Sequence, residues 1–232
     1  LPVTVNDLLN NPLRGAMAAA RYALLRQGPL SMSVATVHAL VRSEASLAHP
    51  DLKLQIMLTS GKDRYARSRK VGLDPFSGFN IGVFQLYPYS RGCVHIRSRD
   101  PLEAPVIHAN YLSDPRDAHS VLTGLKLARE VAAKPQLARH VIREVRPGPD
   151  ANTDHALLAY ARETSQTSWH PIGTCRMGRG DHDVVDHELR VHGIGKLRVI
   201  DSSIMPNMPT SNTNAPSMMI GAKGAALVRA GH

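Results

Sequence analysis

One histidine stands where the backbone around it is stiff. In the run Ser168-Trp169-His170-Pro171-Ile172-Gly173-Thr174-Cys175-Arg176-Met177-Gly178, Pro171 fixes its own φ and biases His170 toward extended geometry. A general base needs reach and angle before it needs a tuned pKa, and this setting supplies both. A His-Pro pair met alone reads as a buried histidine in a turn. It is not alone. Leu197, Arg198, Val199 and Ile200 form a short β-branched run that ends in Asp201, Ser202 and Ser203. That pattern predicts a buried strand with functional groups at its carboxyl end. Residues 211–217 then form a polar stretch that opens a helix, with Pro216 in its first turn. The helix is expected over about residues 215–228, capped by Asn214.

Two further groupings carry less chemistry. Asp181, His182, Asp183, Asp186, His187 and His192 are rich in ligand types, but their spacing matches no zinc pattern and a charged turn explains them better. No Gly-x-Ser-x-Gly elbow occurs, which argues against a serine hydrolase.

The elements that would position these groups are legible in outline. Asn6 can cap a short first helix, and a second runs over residues 16–25 to the stop at Gly28-Pro29. Residues 52–58 alternate like a half-buried strand. The stretch 64–70 is a basic loop that reads as solvated surface. Residues 81–89 and 92–98 predict two antiparallel strands joined at Ser90-Arg91. Pro88 cannot donate to a ladder, so its end of the strand should lie at an edge or bulge. In the second strand Val94, Ile96 and Ser98 should face one way, and Cys93, His95 and Arg97 the other. Asp114-Pro115 starts a helix in which Val121, Leu125, Ala128 and Ala132 recur at helical spacing, and Pro135 ends or kinks it. After the linker Pro147-Gly148-Pro149, Thr153 or Asp154 caps a helix through Ala161.

Four stretches in this order carry a family resemblance. They are His170-Pro171-x-Gly173-Thr174, Val184-Val185-Asp186-x-Glu188-Leu189-Arg190-Val191, Leu197-Arg198-Val199-x-Asp201-x-Ser203-x-Met205-Pro206, and Asn212-Thr213-Asn214-Ala215-Pro216-x-x-Met219-Ile220. Together they resemble the C-terminal part of a glucose–methanol–choline (GMC) flavoprotein oxidoreductase. The run from Pro88 through Ser90-Arg91-Gly92 to Asp100-Pro101 and on to Leu112 resembles that family's substrate domain. The resemblance implies an α+β chain with three parts. Residues 1–30 are a helical lead-in, and 31–165 a substrate domain whose antiparallel sheet is flanked by helices. Residues 166–232 carry the active-site turn and the last strand and helix of an FAD-binding α/β domain. The family's N-terminal Gly-x-Gly-x-x-Gly unit has no counterpart here.

The resemblance also implies a reaction and its residues. An alcohol is oxidised to a carbonyl compound, with its hydroxyl proton taken by a base and a hydride passed to the N5 of FAD. His170 matches the family's active-site histidine and Asn212 its partner; Asn214 is the competing position for that partner. Asp201, Ser202, Asn212, Thr213, Asn214, Pro216 and Met219 fall in segments that meet the flavin. The N-terminus of the final helix would favour the negative charge that builds on the reduced ring. Met218, Met219 and Ile220 also read as core packing. Trp169 either walls the substrate pocket or packs as an ordinary core tryptophan. His187 stands where related proteins commonly have Pro. A hydroxynitrile lyase on the same fold, and an incomplete chain inactive alone, are the alternatives.

Composition bounds the partners. The chain has 232 residues, 28 Lys and Arg against 19 Asp and Glu, and 43% hydrophobic residues. The positive charge is spread along the chain, and 4% aromatics leave few rings to stack on bases, so nucleic acid is not the expected partner. No apolar run approaches a membrane span. The expected partners are a small-molecule alcohol and an N-terminal FAD-binding half. Choline would favour an aromatic cage, for which one Trp, three Phe and six Tyr are few. Cys93 and Cys175 have no metal-like spacing and suggest no disulfide framework, so no metal is expected and the expected setting is the reducing cytoplasm. No N-terminal stretch reads as a signal peptide, and a chain opening at Leu1 without Met reads as a piece of a longer protein.

Overall fold

The computed structural model describes residues 4–33, 35–61, 72–210 and 212–231. The expected basic loop at 64–70 lies outside them. Chain contacts divide the molecule into two units, each discontinuous in sequence: Leu1–Gln85 with Ala118–Gln166, and Leu86–Asp117 with Thr167–His232.

The first unit is built on a three-stranded antiparallel sheet in the order β1 (Ala35–Val41), β2 (Leu52–Met57), β3 (Asn80–Gln85). The alternation at 52–58 is that of the central strand, whose Leu52, Leu54 and Met57 are buried. In register, Leu52 stands opposite Val41 on one side and Gln85 on the other. Helix α3 (Pro115–Ala132) packs through Gly124, where a Cβ would come within 2.5 Å of Val83 and 3.3 Å of Leu52. The bare α-carbon sets that approach. Helix α4 (Pro135–Ala138) follows the break at Pro135. In α5 (Asp154–Thr164), Thr153 caps by accepting the N–H of Ala156, and Leu157 and Ala161 are buried. Helix α2 (Pro12–Leu25) opens on an Asn11 cap with Pro at its first position. Helix α1 (Val5–Leu9) is capped by Thr4, not by Asn6. Asn6 is instead a buried clamp: its amide donates to Ser60 O and Asp74 O and accepts from Ser60 N. Those bonds meet donors and acceptors that burial would otherwise leave unpaired.

The second unit overturns the expected hairpin. The strand starting at Asn80 ends at Gln85 and, among the described residues, pairs only with β2. Strand β4 (Cys93–His95) pairs with β5 (Val106–His108) in a separate two-stranded ladder. The expected second strand is therefore cut to three exposed residues, and Ile96 is 87% exposed. The reason is Asp117, only 1% exposed, whose carboxylate takes the backbone N–H groups of Tyr89 and Ser90. Pro88 has none to give. No donor is left there for a hairpin ladder.

The expected strand at 197–200 is also absent among the described residues. That segment makes only an isolated bridge, Arg190 to Arg198, and two backbone bonds to the loop before it. A strand needs ladder partners on a neighbour, and the residues here have only a turn. Its apolar side chains are still used. Val199 and Ile200 pack on a core of Val185, Leu189, Ile204, Met205 and Ile220. The last of these lies on helix α6 (Asn214–Arg229). Gly224 of α6 sits against Ile200 with no room for a Cβ. The helix N-cap is Thr213, and Asn214 is the first helical residue rather than the cap. No helix among the described residues is long and apolar enough to cross a membrane.

Candidate active site

The site is assembled inside the second unit by loops tied to one another. The turn after His170 is closed by Gly173 at φ +82°, a left-handed conformation that favours glycine. The chain then runs beside residues 202–205: Cys175 N donates to Ser203 O at 3.0 Å, and Met177 N to Ile204 O at 2.9 Å. Asp201 caps the 3-10 turn Ser202–Ile204 by accepting Ser203 N at 2.8 Å, and Ser202 Oγ donates to Pro171 O at 3.3 Å. These two residues thus hold the loop that carries His170.

His170 is half-buried, and its ring reaches the start of α6. Nδ1 lies 3.0 Å from Thr213 Oγ1 and 3.4 Å from Thr213 N, across 43 residues of sequence. Nε2 has no hydrogen-bond partner among the described residues. Thr213 is buried, and Asn212, the residue before it, is exposed. The first turn of α6 holds no acidic side chain, so its N-terminal partial positive charge is uncancelled locally.

Around the histidine lie exposed apolar groups. Trp169 is 59% exposed, so it is not a core tryptophan of this chain. Its φ of +56° is left-handed, a conformation that costs about 1–3 kcal/mol for such a residue and that gathers at functional sites. Its N–H donates to Thr167 Oγ1 at 3.0 Å. Met218 and Met219 are 63% and 60% exposed, so of the expected packing stripe only Ile220 lies in the core. Pro216 is half-buried and Asn214 exposed.

The His/Asp-rich stretch serves the scaffold. Asp183 accepts from Gly180 N and from Arg176 Nε at 2.5 Å, and those bonds hold its carboxyl below the ordinary range. Burial pushes the Asp186 carboxyl up. The bonds from Arg190 and from the Glu188 backbone outweigh that and lower it to about 2. His192 Nε2 lies 3.0 Å from Gly178 O. Among the described residues no three His, Cys, Asp or Glu side chains are grouped to hold a metal ion.

The sequence placed Thr213 only among residues near a flavin. Its contact with His170 had no signal in spacing, because a loop of 43 residues closes through tertiary packing alone.

Residues 88–221 match the family described as GMC oxidoreductase. The alcohol dehydrogenase [acceptor] of Pseudomonas putida is 37% identical over 215 residues, covering 93% of this chain and 38% of that protein. The oxygen-dependent choline dehydrogenase of Citrobacter koseri is 44% identical over 152 residues, 66% of this chain and 27% of that one. Among solved structures, a formate oxidase variant of Aspergillus oryzae superposes with a TM-score of 0.81 at 22% identity, over 99% of this chain and 44% of its own. At that identity the likeness shows the fold. The chain therefore spans less than half the length of each of these three proteins.

Proposed function

The chain belongs to the GMC oxidoreductase family, and from that premise we propose that it forms the C-terminal part of an FAD-dependent enzyme that oxidises an alcohol to a carbonyl compound. The observation that carries the reading is His170, held at Nδ1 by Thr213 with Nε2 unpartnered, at the N-terminus of α6.

The residues present suit the flavin end of the cofactor. A helix N-terminus without acids favours an electron-rich ring edge, and the exposed Met218 and Met219 offer an apolar surface beside it. Asn212, Thr213, Asn214, Pro216 and Met219 would hold that end, together with Asp201 and Ser202. The pyrophosphate cradle, a Gly-x-Gly-x-x-Gly turn, has no counterpart in the sequence and would be supplied by an N-terminal half of the protein. When bound, FAD supplies a hydride acceptor.

The chain's own groups handle the hydroxyl. Nε2 of His170 accepts the alcohol proton. The Asn212 amide donates to the oxygen as negative charge builds on it. Trp169, strained and exposed, walls the substrate side. Fixing the alcohol between these groups supplies the orientation on which such reactions depend. An alcohol is the substrate class, in keeping with the name of the alcohol dehydrogenase whose match covers most of this chain.

The test is anaerobic mixing of the complete flavin-loaded protein with simple alcohols while the flavin absorbance is followed. Bleaching by an alcohol supports the reading. A flavin that no alcohol reduces defeats it.

A further inference from the structure

We propose that Thr213 is the positioning residue that selects the tautomer of His170: its hydroxyl accepts the Nδ1 proton and leaves Nε2 bare toward the alcohol. The proposal rests on His170 being the base. A neutral imidazole carries one proton, and the hydrogen bond made by one ring nitrogen decides which of the two holds it.

Thr213 brings two groups to the same atom: a backbone N–H that can only donate, and a hydroxyl that can donate or accept. The backbone N–H favours Nδ1 as an acceptor and puts the proton on Nε2. A ring in that state meets an alcohol as a donor and cannot take its proton. The hydroxyl, turned to accept, is the one of the two that suits a protonated Nδ1 and a bare Nε2, the state a base requires. Length separates them. The hydroxyl contact of 3.0 Å lies inside the ordinary range of about 2.7–3.2 Å, and the N–H contact of 3.4 Å lies outside it. Thr213 is 7% exposed, so little water competes for its oxygen.

The same contact also suits the ring after it has acted. Once Nε2 has taken the alcohol proton, both ring nitrogens carry hydrogen. Oγ1 still accepts from Nδ1–H, now in a stronger, charge-assisted bond. The backbone N–H alone would oppose that state, since two donors would face each other. Thr213 therefore holds one geometry through proton uptake.

The experiment uses the complete flavin-loaded protein with ring-15N-labelled histidine, the His170 signals being assigned by their loss in His170→Ala. The parent and Thr213→Ser should show a protonated Nδ1 and a bare Nε2. Thr213→Val, left with only the backbone N–H, should move the proton to Nε2. Its kcat/KM should fall about ten- to a hundredfold, and Thr213→Ser should restore most of it. A proton on Nε2 in the parent overturns the proposal whether or not any variant folds. So does a flavin-loaded Thr213→Val that keeps the parent's ring signals, even if its activity is lost. An active His170→Ala would instead defeat the base assignment, while the ring signals would still report what Thr213 does.

Discussion

The buried Asp117 carboxylate receives the backbone N–H of Ser90 on Oδ2 at 2.7 Å, and its other oxygen receives that of Tyr89 at 2.9 Å. One side chain at the start of α3 thus closes a loop 27 residues away. Asp117→Ala should leave two donors unpaired, each costing about 1–3 kcal/mol when buried. The urea midpoint of the protein should fall accordingly. A variant with the parent's midpoint would mean that water replaces the carboxylate without cost.

That contact also marks the limit of what the sequence carried. The alternation at 52–58, the Thr153 cap and the break at Pro135 were legible because their causes lie within a few residues, whereas the second helix starts at Pro12 on an Asn11 cap, ahead of the expected residue 16. The hairpin expected at 81–98 failed because the residue that claims the N–H groups of Tyr89 and Ser90 lies outside any local window. At 197–200 the apolar pattern did report burial, but a strand also needs a ladder, and that is a property of neighbours. His170 and Asn212 are proposed as site residues on residue type and family resemblance. The bond from His170 to Thr213 had no local cause to reveal it.

Asp186 gives a prediction in pH. Its folded-state carboxyl is lowered to about 2, with Arg190 and the Glu188 backbone as the lowering partners. A lowered carboxyl contributes stability above its unfolded value, near 3.8, and loses it as pH falls through the folded value. The stability gap between the parent and Asp186→Asn should therefore be constant above about pH 5 and narrow steadily toward pH 2. Urea unfolding at a series of pH values reads it. A gap that widens on acidification would show that the sign is wrong.

Asn212 and Asn214 compete for one role. Asn212 precedes the helix and is exposed, whereas Asn214 is the first residue of α6. If the Asn212 amide holds the developing alkoxide, Asn212→Ala should lower kcat more than it raises KM, by about 10²-fold or more in kcat. Asn212→His should keep part of the rate. Steady-state kinetics of Asn212→Ala beside Asn214→Ala decide it, and a crippled Asn214→Ala with an unaffected Asn212→Ala would move the role two residues on.

The central claim is that His170 takes the alcohol proton. Its most direct test is turnover of the complete enzyme carrying His170→Ala, measured per bound flavin with an alcohol that the parent oxidises. The variant should keep its flavin spectrum and lose about 10²–10⁴ in rate. A flavin-loaded His170→Ala that turns over at close to the parent rate would contradict the account.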